Sequence, residues 1–351
     1  MPTRCTLELS SVDDPAGLLA ISVIFLFSGV NPLYAIFKIF SGSFGSLYGI
    51  KETVTKAIPL ILIGGGLAVA FRAKFWNIGA EGQLTFGGIA ASWVALFWSP
   101  FLPSWMVLPL AILVGMLAGA FWAGIPALLK VRLKVDEVLT TLMLNYVAIL
   151  FAEHLYYGPW RDPKGFGFPG TPQFPDFTWL PRIAGRAHLG LIFALVLALV
   201  LWFILNRTRW GFELQVIGNN PGAAQTQGIK IAKNIMIALL LAGALAGLAG
   251  VCEVTGISRR LQQGLSIGYG YTAIIVAWLA QLNPIAAIFV ALLIAALLVG
   301  GDQVQMMMGL PAAMGLVLQG MLLFPMLAGS LFTEYRLRII RTQIREAQSG
   351  G

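Results

Sequence analysis

Long apolar runs separated by short polar segments form the pattern of this chain. A helix of about 20 apolar residues spans the hydrocarbon core of a bilayer, and ten segments have this character. Strands of an outer-membrane barrel would alternate apolar and polar residues over about ten positions, whereas these runs are continuous. The pattern predicts an all-α polytopic membrane protein whose single transmembrane domain covers 1–351. Its ten predicted helices are 17–37, 53–71, 80–98, 105–129, 136–157, 187–205, 231–251, 266–281, 284–300 and 310–328.

The composition supports this class. Of the 351 residues, 58% are hydrophobic and only 11% are charged, whereas a soluble domain carries about 25% charged residues. Cys5 and Cys252 are the only cysteines, so neither a disulfide framework nor a thiolate metal site is predicted. Acidic residues precede the first run and no basic segment with a cleavage site is evident, so we expect an uncleaved first span.

Charge predicts the orientation. The net charge is +8, and the basic residues cluster in alternate connections, which the positive-inside rule assigns to the cytoplasm. This excess therefore indicates membrane orientation and not nucleic-acid binding. We expect a multi-pass protein of the bacterial inner membrane with both termini cytoplasmic, a cytoplasmic tail at 330–351 and an extracytoplasmic loop at 158–186. The residues that set the orientation are Arg72, Lys74, Lys130, Arg132, Lys134, Arg207, Arg209, Lys230, Lys233, Arg336, Arg338, Arg341 and Arg345.

One polar stretch, FWNIGAEGQLTFGG at residues 75–88, lies between two apolar runs. The topology predicts that it lies at the cytoplasmic end of the third span. Glu81 then falls in the first turn of a helix, where the helix dipole favours a carboxylate. The glycines allow a tight turn and close helix approach. Gly115 with Gly119, and Gly243 with Gly247, have a spacing that likewise indicates helix packing.

The segment 206–230 is too polar to cross the membrane and is predicted to be cytoplasmic. It contains the signals of a short helix, with Asn220 as the N-cap, Pro221 at the first helical position and Gly228 after the end. A helix of about two turns is marginal in water alone. It is therefore expected to dock on its own subunit or on a cytoplasmic partner.

Catalytic signatures are not found. The chain contains no phosphate-binding loop, no H-E-x-x-H and no G-x-S-x-G. His154 and His188 fall at the ends of different spans, where a histidine is commonly a polar anchor. We expect a protein that is not an enzyme and holds no metal.

Four segments together resemble one family. They are FWNIGAEGQ (75–83), VDEVLTTLMLNYVA (135–148), GNNPGAAQTQGI (218–229) and SIGYGYTAIIVAWLAQLNP (266–284). The chain is similar, over nearly its whole length, to the permease subunit of bacterial ABC importers for nucleosides and simple sugars. The segment YGPWRDPKGFGFPGTPQF (157–174) resembles the nucleoside branch more than the ribose branch.

This resemblance implies a type II-like ABC importer permease fold with a translocation path between two permease subunits. It also implies two cytoplasmic ATPase subunits, which bind the ATP and Mg, and an extracytoplasmic substrate-binding lipoprotein. The chain itself then needs no cofactor. Because the nucleoside branch commonly pairs two different permeases, a heterodimer is favoured over a homodimer.

The resemblance also implies roles for particular residues. Asp136 stands where relatives usually have Asn, which adds a charge near the implied gate. The implied coupling helix to the ATPase contains Asn220, Pro221, Gly222, Ala223, Ala224, Gln225 and Gly228. The implied cytoplasmic gate contains Asn77, Gly79, Glu81, Gln83, Asp136 and Glu137.

Candidate path residues follow from their chemistry, because aromatic faces stack on bases and amides and hydroxyls hydrogen-bond sugars. Tyrosines at span ends are also common interfacial anchors, and a buried amide can instead join two helices. Arg259 and Arg260 oppose the positive-inside bias, which favours docking of an acidic lipoprotein surface over simple snorkelling. The path candidates are Asn145, Tyr146, Ser266, Tyr269, Tyr271 and Thr272.

Two alternative functions remain open. A simple-sugar permease would share this framework. An ion-coupled secondary transporter would carry carboxylates near the midplane. The sequence places its intramembrane carboxylates near predicted span ends, which disfavours the second alternative. These residues are Glu81, Asp136, Glu137, Glu153 and Glu253.

Overall fold

A computed structural model describes residues 32–265 and 267–308, and this part of the chain is mainly helical. Two π-helical turns, Val94–Trp98 and Glu253–Ser258, extend the third and ninth α-helices. The α-helices are α1 (Pro32–Phe44), α2 (Leu47–Arg72), α3 (Ala80–Trp93), α4 (Ser104–Leu133), α5 (Glu137–Tyr157), α6 (Gly190–Arg207), α7 (Arg209–Asn219), α8 (Pro221–Thr226), α9 (Ile231–Cys252), α10 (Tyr269–Leu279) and α11 (Pro284–Met308).

The predicted all-α polytopic class is confirmed. Within 32–265 and 267–308, six helices are long and apolar enough to cross a membrane, namely α2, α4, α5, α6, α9 and α11. Helix α3 with its π-helical turn covers the predicted third span. Helix α1 continues past the predicted end of the first span at residue 37. The tenth predicted span, 310–328, and the tail, 330–351, lie outside the described residues.

Helix α2 lies at the centre of the bundle. Every residue from Ala57 to Phe71 is buried, and the helix packs against α6, α9, α10 and α11. At its end, Arg72 donates to the Leu205 carbonyl oxygen at 2.9 Å and to Asn206 Oδ1 at 3.0 Å. The ends of α2 and α6 therefore meet on one side, which also carries α8 and which we call the basic side.

Helices α4 and α9 pack through glycines, as the spacing predicts. A Cβ atom at Gly119 would lie 2.3 Å from the Gly243 carbonyl oxygen, and one at Gly247 would lie 2.4 Å from the Gly115 carbonyl oxygen. Real Cβ atoms do not approach this closely. Any larger residue would push the two backbones apart and remove the dispersion contacts that hold helices together in lipid.

The eighth predicted helix, 266–281, is already short for a span, and its counterpart in the structure is shorter still. Helix α10 has 11 residues, about 16 Å at 1.5 Å per residue, or half of the hydrocarbon thickness. The non-helical chain before it pairs with the long loop, because Gly170 and Gln262 form an antiparallel bridge. This chain then descends to the buried start of α10. Non-helical backbone is tolerated at such depth only where protein groups or water satisfy it.

Asp302 and Gln303 follow the end of the predicted ninth span at residue 300, but the structure places both of them in a helix. Helix α11 continues beyond residue 300 to Met308. The Lys56 ammonium group of α2 pairs with the Asp302 carboxylate at 2.5 Å. This pair links α2 to the far end of α11, and it explains why charged and amide residues continue the helix.

The extracytoplasmic loop predicted at 158–186 contains ordered structure that the helical pattern does not predict. Two short antiparallel strands, β1 (Arg182–Ala184) and β2 (Ala187–His188), form a hairpin. The buried His188 ring accepts from the Gly190 N–H at 3.2 Å. Burial, and to a lesser degree the charge of Arg182, lowers the pKa of His188 to about 4. His188 is therefore a neutral structural anchor.

Candidate functional site

Glu81 caps a helix other than its own. It lies in the first turn of α3 and is fully buried. Its carboxylate accepts from the Gly268 N–H at 2.8 Å and from the Gly270 N–H, at the start of α10. The N-terminus of a helix has unpaired N–H groups and partial positive charge, so it stabilises this carboxylate inside the membrane.

Two glycines make this contact between helices possible. Gly268 has φ of +93°, a left-handed conformation that glycine adopts without steric cost. A Cβ at Gly270 would lie 2.3 Å from the Glu81 backbone nitrogen. The glycines in SIGYGYT therefore serve the meeting of α3 and α10.

An amide network surrounds this contact. Asn77 and Gln83 exchange two side-chain hydrogen bonds, at 3.2 and 3.0 Å, and both are buried. Asn77 Oδ1 also accepts from the Gly79 N–H at 3.0 Å. Three of the predicted gate residues therefore form one buried unit, which holds the turn before α3 in shape.

Asn145 joins three elements. Its Oδ1 accepts from the Gly82 N–H at 2.8 Å, and its Nδ2 donates to the Ile78 carbonyl oxygen at 2.8 Å and to the Tyr271 hydroxyl at 3.1 Å. It lies eight residues into α5, about 12 Å from the start of the helix. Asn145 was predicted either to line the path or to join helices by hydrogen bonds. The structure shows hydrogen bonds between helices.

Asp136 and Glu137 lie apart from this amide network, at the start of α5. Asp136 is exposed and accepts from the Leu139 N–H at 2.9 Å as an N-cap. Asn and Asp are equivalent in this position, which accounts for Asp where relatives usually have Asn. Glu137 is buried and pairs with Lys130 at the end of α4.

The candidate path residues differ in how far their side chains are exposed. Tyr269 and Thr272 are buried inside the bundle, so they do not face an open path in this conformation. Tyr271 is half-buried, while Tyr146 is exposed on α5. Ser266 lies outside the described residues. Tyr146 and Tyr271 are therefore the path candidates with accessible side chains.

The short helix predicted within 206–230 is present as α8. Asn220 Oδ1 accepts from the Ala223 N–H at 3.1 Å, Pro221 is the first helical residue, and Gly228 has φ of +74°. Ala224 is buried in an apolar cluster where α8 packs on α7 and α9, whereas Gly222 and Gln225 are exposed. One face therefore packs on its own chain and the opposite face is open. The preceding helix α7 was not predicted.

The two arginines of the predicted docking pair differ. The Arg259 guanidinium stacks 3.7 Å from the Trp179 ring centre and is partly buried. It therefore braces the long loop. Arg260 is exposed and lines a groove of about 540 Å³ with Phe166 and Phe168.

Sequence reasoning did not single out two aromatic pairs. Phe166 and Phe168 are 100% and 76% exposed at the tip of the long loop. Trp76 and Trp278 stack on the basic side with ring centres 5.3 Å apart. Both tryptophans fall within quoted motifs. The position of Trp76 and Trp278 at span ends was the sequence signal that could have identified them as candidates. It could not show that they touch, because they are far apart in the chain.

Comparison with known proteins identifies the family of this chain. A model of the permease component of branched-chain amino acid transport systems matches residues 49–327. The chain belongs to this family. The permease is 35% identical to the glucose ABC transporter permease protein of Haloferax volcanii, over 88% of this chain and 84% of that protein. It is 32% identical to the guanosine ABC transporter permease protein of Bacillus subtilis, over 94% of each.

The nucleoside ABC transporter permease protein of Lactococcus lactis is also 32% identical, over 81% of this permease and 80% of that protein. A second guanosine permease protein of Bacillus subtilis and a second nucleoside permease protein of Lactococcus lactis match at 28%. The predicted resemblance to nucleoside and sugar permeases is confirmed. The chain is a membrane-spanning component of a transport system.

Proposed function

We propose that this permease forms part of the translocation path of an ABC importer for nucleosides. The observation that carries the proposal is the similarity to the guanosine permease protein along 94% of both chains. The similarity to a glucose permease protein supports simple sugars as the second candidate substrate. Nucleosides and simple sugars are both uncharged and rich in hydroxyl groups.

The site supports an uncharged substrate. In transporters with broken helices, the N-terminus of a half-helix attracts an anionic group of the substrate. Here Glu81 occupies the N-terminus of α10, so a substrate carboxylate or phosphate would meet an existing carboxylate. Tyr146 and Tyr271 then offer aromatic faces and hydroxyl groups to a base and a ribose.

The proposed partners are inferred from the exposed face of α8 and from the relatives of this permease. The exposed face of α8 is proposed to enter a groove on a cytoplasmic ATPase, which binds ATP and Mg. On this proposal the basic side faces the cytoplasm, which is the orientation that the positive-inside rule predicts. A second, different permease subunit is proposed to complete the path, because related permease proteins occur in pairs within one organism.

The test is uptake by the native host with and without this permease. Deletion is expected to abolish uptake of labelled guanosine or uridine, and uptake should depend on ATP and persist with a proton uncoupler. Loss of glucose uptake alone would favour the sugar candidate. Uptake abolished by the uncoupler but insensitive to ATP depletion, with no ATPase in the purified complex, would contradict the ABC proposal.

An extracytoplasmic lipoprotein is proposed to dock at the tip of the long loop. Phe166 and Phe168 supply apolar contact area, and Arg260 and Lys164 supply two positive charges against one carboxylate, Asp162, in the lining of the same groove. Aromatic side chains and arginine are the residues that most often dominate binding energy at interfaces. Arg259 is excluded from direct docking because it stacks on Trp179.

Arg260→Glu is expected to weaken lipoprotein binding to the purified transporter about tenfold, because it reverses the charge that attracts an acidic surface. Phe166→Ser combined with Phe168→Ser should weaken it further. Binding is measured by surface plasmon resonance. Arg182→Glu, an exposed arginine in the hairpin that does not line the groove, is the matched control. Unchanged binding by both groove variants would contradict this docking surface.

A further inference from the structure

A cavity of about 470 Å³ opens on the basic side, away from the buried unit at Glu81. This volume lies within the range of small-molecule sites. The ends of α2, α6, α7 and α10 form its walls. Its lining includes four aromatic residues, two cations and four amide side chains: Phe71, Phe75, Trp76, Trp278, Arg72, Lys74, Asn206, Gln215, Asn219 and Gln281.

The aromatic wall has the shape of a stacking platform. The rings of Trp76 and Trp278 are inclined by only 21° and are 44% and 40% exposed. Phe71 lies behind both, with ring centres 5.6 and 6.2 Å away. Exposed tryptophan faces stack on heteroaromatic rings such as nucleobases.

The charged wall favours an anion. Arg72 is held in place by Leu205 and Asn206, while the Lys74 side chain is exposed. Among the described residues that line the cavity, none is acidic. A neutral ligand would not use these two cations, whereas a phosphate group would bind both.

The backbone around the cavity is strained. Lys74, Gln281 and Leu282 have φ values of 53°, 49° and 56°. Of the six non-glycine residues with positive φ in the described ranges, these three line this one cavity. Left-handed conformations are sterically unfavourable for residues that carry a Cβ atom. They persist where surrounding structure holds them, and they cluster at ligand sites.

We propose that this cavity binds a nucleoside phosphate, with the base on Trp76 and Trp278 and the phosphate between Arg72 and Lys74. The class of ligand rests on the proposed import of nucleosides, since imported nucleosides are phosphorylated in the cell. Gln215 and Asn219 of the lining belong to α7, and Asn220 caps α8. A ligand in the cavity therefore contacts the segment that carries the coupling helix. Through this contact, binding of the nucleoside phosphate slows transport.

Binding is measured with labelled guanosine monophosphate and the purified transporter complex in nanodiscs. Because the ATPase also binds nucleotides, variants of the permease are compared within the same complex. Lys74→Gln and Trp278→Leu should each weaken the cavity component about tenfold. Lys134→Gln, at an exposed lysine with φ of 56°, and Trp98→Leu, at a tryptophan 41% exposed, are the matched controls.

Competitors identify the ligand. Guanosine and inorganic phosphate should each compete at least tenfold more weakly than the monophosphate, and competition by ATP would extend the site to triphosphates. Equal binding by wild type and both cavity variants would overturn the proposal. So would displacement by anionic phosphatidylglycerol alone, or binding of inorganic phosphate that is unaffected by Trp278→Leu.

The effect of the bound monophosphate on transport is measured in proteoliposomes. Guanosine monophosphate enclosed on the side of the coupling helix should reduce uptake at least threefold in wild type, with little effect in Lys74→Gln. An equal reduction in both would overturn the regulatory role. Failure of nucleoside uptake with intact monophosphate binding would contradict the transport proposal alone, so the two failures are distinguishable.

Discussion

Glu81→Ala is expected to reduce substrate uptake at least tenfold. The substitution removes the acceptor of two N–H groups, those of Gly268 and Gly270, at the buried start of α10. Each unsatisfied buried group costs about 1–3 kcal/mol, and a tenfold change corresponds to about 1.4 kcal/mol. The half-helix would therefore leave its position against α3. Uptake by reconstituted transporter, normalised to folded protein, measures the effect.

Glu81→Gln distinguishes structural support from proton transport. Glutamine retains one acceptor oxygen but presents an NH₂ group to the second N–H. We therefore expect an intermediate reduction of uptake, about two- to fivefold, and an unchanged dependence of uptake on pH. A proton carrier would lose activity fully with Gln and change its pH dependence. Glu153→Gln, in a partly exposed glutamate of α5, is the control and should retain uptake. Full uptake by Glu81→Ala would contradict the structural role.

Gln225→Trp is expected to reduce uptake at least tenfold while ATP hydrolysis continues. Gln225 is exposed on α8 beside Gly222, on the face opposite the buried Ala224. A large ring there would obstruct entry of the six-residue helix into a partner groove but would leave its own packing intact. Uptake and ATP hydrolysis are measured on the same proteoliposomes.

Two further variants make the result specific. Lys233→Trp places the same ring on an exposed position at the start of α9 and should leave coupling unchanged. Ala224→Leu overfills the cluster around Leu214 and Ile217, so it should reduce the yield of folded protein instead. Normal coupled transport by Gln225→Trp would refute the role of this face.

Local patterns were sufficient for several features. Continuous apolar runs predicted the helical membrane class, because a span must satisfy its backbone within itself. The cap at Asn220 and the end signal at Gly228 predicted α8, since capping depends on neighbouring residues alone. The spacing of Gly115 with Gly119, and of Gly243 with Gly247, predicted close packing, although it could not show which helices would meet.

Other features required contacts between distant parts of the chain. The sequence assigned Glu81 to the dipole of its own helix, but its carboxylate accepts from Gly268, 187 residues later, at the start of another helix. Hydropathy likewise predicted a short span over 266–281, but it did not show that the helix has only 11 residues. It measures the transfer of side chains and contains no information about where unwound backbone finds hydrogen-bond partners.

The sequence by itself therefore determined the class of protein, most of its spans and the caps of α8. Only the tertiary structure decided that α10 is a half-helix, that Arg259 braces a loop, and that Trp76 stacks on Trp278. The physical reason is that hydrophobicity and capping act within a few residues. The placement of a buried charge or a stacked ring depends on which distant backbone groups and side chains the fold brings to it.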